Sequence, residues 1–320
     1  MDKSTLRYIG KRLLMSALTL MIIVFVLFVM LKLMPGTPFN DEKLTEAQRA
    51  LLDAKYGLDA SPLTRFFNYL KLAIFEGDFG VSYAIQKDMP VSTLISGRVW
   101  ITIRIGLQAV LLGTIIGLLL GLVAALRRNT WLDTGATVIS VIGVSVPSYV
   151  FALGLCFFLG YKFKWFPITY SLDKPILSTI LPTIALSMFV IANVARFLRS
   201  EMIEVLQSDF MLLVKAKGVR KKNLILKHAM RNALIPVITV VAPLMVSLMT
   251  GSLVVEKIFA IPGMGSLLVT AIQVNDYNVI IALSFIYSVL FIGVMLLVDI
   301  LYGVIDPRIR LAKEGGNHES

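Results

Sequence analysis

Six stretches of this chain run for about twenty or more residues with few charges: about Ile9 to Leu33, Trp100 to Leu126, Gly135 to Tyr161, Ser178 to Leu198, Leu234 to Val255 and Val279 to Ile305. An α-helix needs roughly 20 apolar residues to cross a hydrocarbon layer, and inside that layer every backbone N–H and C=O must be paired within the segment. The runs therefore predict an all-α membrane protein with six transmembrane helices, folded as a single domain over residues 1–320. Composition agrees, with 57% hydrophobic and only 16% charged residues and a mean hydropathy of +0.81, whereas soluble chains carry about a quarter charged residues. The first run is longer than the roughly 7–15-residue core of a secretory signal and stops at Pro35-Gly36, so it reads as a retained span.

The net charge of +11 would suit nucleic acid in a soluble chain, but its placement points elsewhere. An even number of spans returns both termini to one side. On that side lie four Lys and Arg before the first span, Arg127 and Arg128, nine between Arg196 and Ala233, and three in the tail, making 18 against 11 on the other. The 11 are spread over longer loops, and the long 34–99 segment offsets its seven cations with eight acids. By the positive-inside rule both termini are expected in the cytoplasm, with membrane lipid and not nucleic acid as the partner of the charge.

Proton- or sodium-coupled transporters place ionisable groups at mid-membrane, where each costs about 2.5–3.5 kcal/mol. These spans hold almost none; Arg104, Glu256 and Asp299 lie near span ends, where snorkelling or the interface accounts for them. An energy source is expected from another protein, because the chain lacks a Gly-x4-Gly-Lys-Ser/Thr phosphate loop. No catalytic or metal constellation is expected either, with one cysteine, Cys156, and two histidines. Gly113, Gly117 and Gly121 recur every four residues and predict close helix packing. Ser145, Pro147 and Ser148 in the third span, and Ser247, Thr250 and Gly251 in the fifth, are candidates for lining a pathway, where prolines and small hydroxyl residues break helices beside water; ordinary helix contacts suit them equally.

The 199–233 segment is the most informative. Ser208 or Asp209 can cap a short helix over Phe210 to Lys217, with Gly218 at the left-handed C-cap, and a second helix from Lys221 to Ala233 enters the fifth span. The short helix is expected to expose Phe210, Met211, Leu213 and Val214 amid cations. A protein groove or an anionic lipid surface would accept it.

Lys215-Ala216-Lys217-Gly218 followed by His228-Ala229-x-Arg231-Asn232-Ala233-Leu234-Ile235-Pro236 resembles the cytoplasmic loop of inner-membrane permeases in the dipeptide, oligopeptide and nickel branch of ATP-binding-cassette (ABC) importers. The resemblance spans the chain. It takes in Tyr56-Gly57-Leu58-Asp59, Gly77-Asp78-Phe79-Gly80-x-Ser82 and Pro90-Val91, and later Glu256-x-Ile258-Phe259-x-x-Pro262-Gly263-x-Gly265, Asn275-Asp276-Tyr277 and Asp306-Pro307-Arg308. Leu212-Leu213-Val214 stand where the general importer pattern has Glu-Ala-Ala, and Pro236 lies farther from Gly218 than in that pattern, a spacing usual in the peptide branch. The large first loop looks like the B-type subunit of oligopeptide importers.

The resemblance implies a type I importer permease fold. Its spans would be 9–33, 100–126, 135–161, 178–198, 234–255 and 279–305, with an external loop at 34–99, a cytoplasmic coupling loop at 199–233 and a tail at 306–320. It implies a non-catalytic subunit that pairs with a sister permease, two cytoplasmic ATPase subunits and an extracytoplasmic peptide-binding protein. No cofactor is expected on this chain, since ATP and Mg would sit in the ATPases. Asp209, Phe210, Leu213, Ala216, Lys217 and Gly218 are the expected coupling contacts. Oligopeptides are the expected substrate, with dipeptides or nickel chelates as alternatives within the family and an ion-coupled secondary transporter as the rival outside it. The Pro262-Gly263 pair reads as a type II turn with glycine at positive φ.

Overall fold

The computed structural model describes residues 3–33, 39, 45–249 and 252–305, the side chains of 3–9, 32, 49 and 297–305 excepted. The predicted 306–320 tail, with its Asp306-Pro307-Arg308 motif, lies outside the described residues. The helices are α1 (Lys3–Leu33), α2 (Glu46–Lys55), α3 (Pro62–Lys71), α4 (Val91–Leu126), α5 (Trp131–Ser145), α6 (Ser148–Leu155), α7 (Leu177–Gln207), α8 (Asp209–Ala216), α9 (Lys221–Met249), α10 (Leu253–Ile258), α11 (Met264–Gln273) and α12 (Tyr277–Ile305). A π-helical turn, Leu72–Glu76, continues α3; another, Cys156–Lys162, continues α6; a third, Leu224–Ala229, lies within α9. Among the described residues the β pairing is one isolated bridge between Val81 and Pro90.

Among the described residues five helices are long and apolar enough to cross a membrane, or six if α5 and the α6 segment form one bent span. The bend is 102°. It has a local cause: proline disfavours the helical region for the residue before it, and Val146 is accordingly extended (φ −88°, ψ 122°) ahead of Pro147. The expected span over 135–161 is therefore built of two helical pieces, broken at the proline. Conversely, the inner helix from Lys221 and the fifth span are one continuous helix, α9, which carries Pro236 and Pro243 within it. The helix containing the second span begins at Val91, inside the segment expected to be loop.

By internal contacts the chain divides into two compact units, Met1–Thr102 with Pro262–Leu296, and Ile103–Ile261 with Leu297–Ser320. In the first unit, Val24, Phe28 and Leu31 of α1 share a core with Phe66, Tyr69 and Leu70 of α3, Val91 and Leu94 of α4, and Met264, Leu267 and the first turns of α12. Its 77–90 loop is pinned by the fully buried Asp276. The Asp276 carboxylate accepts from the Ser82 hydroxyl (2.5 Å) and from the backbone N–H of Tyr83, Ala84 and Ile85 at 3.0–3.1 Å. Beside it, Asn278 donates to the Val81 carbonyl at 2.9 Å. Gly80 has φ +79°, and a Cβ there would lie 2.6 Å from Asn278 Nδ2, so this position requires glycine on two counts. Two of the motifs quoted above, 77–82 and 275–277, are thus one structure.

In the second unit α7 is the central helix. The glycine strip of α4 lies against it: Cβ atoms at Gly113, Gly117 and Gly121 would come within 2.5 Å of Val190 Cβ, 2.7 Å of Val194 Cβ and 2.6 Å of the Ala195 carbonyl oxygen. Gly143 of α5 makes the same approach to Ala192 and Met188. At the far end of α5, Asp133 accepts a two-pronged bond from Arg199 of α7 at 2.6 and 2.8 Å. Glu256, expected near a span end, is only 4% exposed in α10, so burial and not snorkelling is its situation. Gly263 departs from the turn expectation. It is extended (φ −100°, ψ 178°) as the N-cap of α11, and Ala260 takes the left-handed conformation instead (φ 49°).

Candidate docking site on the inner segment

The α7–α9 connection builds one compact element from 208 to 232. Ser208 leaves the helical region (φ −70°, ψ 152°) and starts α8. Its hydroxyl does not cap that helix; it donates backwards to the Val205 carbonyl at 2.7 Å, tying the new helix to the end of α7. At the other end the Lys217 N–H bonds the Leu213 carbonyl and the Gly218 N–H bonds the Lys215 carbonyl. Gly218 has φ +72° with open space where a Cβ would be, so its requirement is conformational and not steric.

Phe210 to Val214 are five consecutive apolar residues, and tertiary packing decides which face is hidden. Met211 is fully buried and Val214 nearly so, seated among Leu198 and Met202 of α7 and Leu224, Ala229 and Ala233 of α9. The expectation that these two would be exposed is therefore corrected. Phe210 and Leu213 are exposed as expected, and Leu212, which sequence reasoning passed over, is the most exposed of the set at 67%. Asp209, Ala216, Lys217 and Gly218 are exposed as well, so all six residues singled out for coupling share one accessible helix and its C-terminal turn.

Beside α8 lies a cavity of about 440 Å³ lined by Phe210, Lys227, His228, Arg231 and Asn232. The Phe210 and His228 rings stand 6.3 Å apart. An aromatic wall with Lys and Arg at the rim suits a planar or carboxylate-bearing side chain. His228, Arg231 and Asn232 belong to the second motif of the segment and Lys227 directly precedes it, and only folding shows that they meet α8. No group of three His, Cys, Asp or Glu able to hold a metal occurs among the described residues. The arrangement is an exposed apolar helix face with a cationic, aromatic-walled cavity beside it.

The pathway candidates divide. Ser145, Pro147 and Ser148 cluster at the α5–α6 break, with Ser145 and Pro147 exposed. Ser247 is exposed on α9, a different helix, while Thr250 and Gly251 lie outside the described residues.

Residues 117–311 match the family described as "Binding-protein-dependent transport system inner membrane component". The chain belongs to this family. Over 309 residues the permease is 44% identical to the dipeptide transport system permease protein DppB of Lactococcus lactis subsp. cremoris, covering 95% of this chain and 99% of that one. It is 38% identical over 306 residues to the oligopeptide transport system permease protein OppB of Haemophilus influenzae, again covering 95% and 99%. Among solved structures, a chain of the MetNI methionine ABC transporter, in inward-facing conformations, matches with a TM-score of 0.55 over 67% of this chain and 96% of that one. At 16% identity that likeness bears on the fold alone. The motif resemblance is borne out, and the permease is a multi-pass protein of the bacterial inner membrane.

Proposed function

We propose that this permease is the membrane subunit of an ABC importer of peptides. It would form the pathway with a sister permease, receive peptide from an extracytoplasmic binding protein, and be driven by two cytoplasmic ATPases. The observation that carries the reading is similarity over nearly the whole chain to permeases named for dipeptide and oligopeptide transport. Oligopeptides remain the first expectation from the large 34–99 loop, although the more similar of these two relatives is named for dipeptides.

The ATPases would dock on α8. Its exposed Phe210, Leu212 and Leu213 give apolar area, and the cationic cavity beside them gives a place for an acidic side chain. With both termini cytoplasmic, closure of the ATPases on ATP would draw the α8 helices together, and rigid helices would carry that motion outward as a two-state coupling. ATP and Mg belong to the partners in this scheme, and the permease binds neither.

The test is uptake by the full importer reconstituted in vesicles, using labelled dipeptide, labelled pentapeptide and a nickel chelate in separate arms. ATP-dependent uptake of peptide is the expected result, and the favoured arm sets the length. Uptake on an ion gradient without the ATPases would overturn the reading. Gly218→Val should insert normally and yet lose most peptide-stimulated ATP hydrolysis, because a β-branched residue is strained at φ +72°. Normal stimulated hydrolysis in that variant would remove α8 from the coupling role.

A further inference from the structure

Helix α3 packs against α1 inside the part of α1 that is apolar enough to cross a membrane. The Phe66 ring packs edge-on against Phe25 (5.4 Å) and Phe28 (6.2 Å) of α1, Tyr69 packs on Phe28 (5.6 Å), and the Arg65 guanidinium lies over the Phe28 ring at 5.7 Å. The stretch of α1 that is long and apolar enough to cross a membrane is Gly10–Leu31. Phe28 and Phe25 precede its end by three and six residues, which at 1.5 Å per residue places the contact about 5–9 Å inside the end of the span. Amphipathic helices that lie in a membrane surface are sunk by a similar amount, roughly 5–10 Å.

The face of α3 turned away from α1 fits that depth. Leu63 is 54% exposed, Phe67 61% and Ile74 58%, and Phe75 follows at 82%. At 100° per residue Leu63 and Phe67 fall about 40° apart on α3, Ile74 on the π-helical turn comes round beside them, and Phe75 comes round to the Lys71 side. Thr64, Asn68 and Lys71, also exposed, occupy the adjoining face, and Glu76 and Asp78 come where the chain turns away at Gly77 (φ +65°). The helix thus has three sides: one on α1, one apolar and uncovered, one polar. The flank of α1 itself, with Ile22, Val26, Val29, Met30 and Leu33, is exposed apolar surface in this chain, and the apolar stripe of α3 continues it at the same height along α1.

We propose that α3 and the Leu72–Glu76 turn form an interfacial helix whose Leu63–Phe67–Ile74 side is immersed in the acyl chains of the leaflet at the Leu33 end of α1. The occupant is lipid. Packing on α1 sets the depth, and Lys71 reaches back toward headgroups. This inference needs only the membrane location, so it stands or falls separately from the peptide reading.

The test uses the reconstituted importer with Cys156→Ser as background. Single cysteines placed by Phe67→Cys and Ile74→Cys, and by Thr64→Cys and Asn68→Cys for the polar side, are labelled with a small fluorophore. Phospholipids brominated near the glycerol end of their chains should quench the labels at 67 and 74 about twofold more than those at 64 and 68, and aqueous iodide should show the reverse order. Iodide reaching 67 and 74 as freely as 64 and 68 would overturn the proposal in favour of a water-exposed loop. Labels at 67 and 74 reached by neither quencher would overturn it in favour of a protein cover, from the sister permease or the binding protein. Leu63→Cys reads the same stripe should either variant fail to assemble.

Discussion

The 77–90 loop and the 208–220 connection are both short, glycine-bent segments between helices, and they are held in opposite ways. The first is braced from afar: Asp276, 194 residues from Ser82 in the chain, holds one hydroxyl and three backbone N–H groups. The second has no such brace. Met211 and Val214 plug it into α7 and α9, while Phe210, Leu212 and Leu213 remain outside. A segment whose polar groups are all claimed internally resists displacement, and one whose apolar groups are left over is completed by a partner. Under the proposed coupling, the contrast would separate a fixed part of this permease from the part that receives force.

The largest effect should come from removing the brace. Asp276→Ala strands three N–H groups and a buried hydroxyl, each worth about 1–3 kcal/mol, and should destabilise by about 3–5 kcal/mol with protease cleavage appearing between 82 and 86. Asp276→Asn, which keeps one acceptor oxygen, should lie between the variant and the wild type. An unchanged cleavage pattern in Asp276→Ala would mean that the loop is held by its aromatic contacts alone.

Next comes overpacking at the glycine strip. Gly117→Leu should cost about 1–3 kcal/mol in thermal unfolding in detergent, with partial rescue by Val194→Gly and little by Val194→Ala, because the added Cβ meets the Cβ of Val194 at 2.7 Å. Within the inner segment, Met211→Ala should cost about 2 kcal/mol. Leu213→Ala should stay within about 0.5 kcal/mol and still lower ATPase stimulation. Equal stability losses in the two variants would erase the distinction between the plug and the open face.

The smallest effect is alkaline. Burial pushes the Tyr83 hydroxyl up to about 12, partly offset by Arg65 and Asn278. Because the folded state keeps this proton above the ordinary tyrosine value of about 10, the stabilisation is complete below that value and is lost as pH rises toward 12. The loop should therefore become protease-sensitive between these limits, and Tyr83→Phe should blunt that dependence.

Much of this architecture was legible in the chain. Long apolar runs announce spans because the bilayer fixes their length, and glycines spaced by four announce close packing because nothing else allows it. Gly218 was legible for the same reason, a backbone need that one residue type meets cheaply. What escaped had no periodic signature. Ser82 and Asp276 belong to separate loops, and no spacing rule relates them. Which side of α8 is hidden could not be read from five successive apolar residues. Gly263 misled because a Pro-Gly pair has more than one use, and here the left-handed turn fell three residues earlier, on Ala260.

The glycine strip also decides how this permease can flex. Where α4 meets α7 there are few side-chain atoms between the two backbones to tilt or repack, so the pair has little give in shear. Ser208 alone separates α7 from α8. A tug on α8 would therefore arrive at the top of α7 with little slack, and α4 would travel with it like the second rail of a ladder.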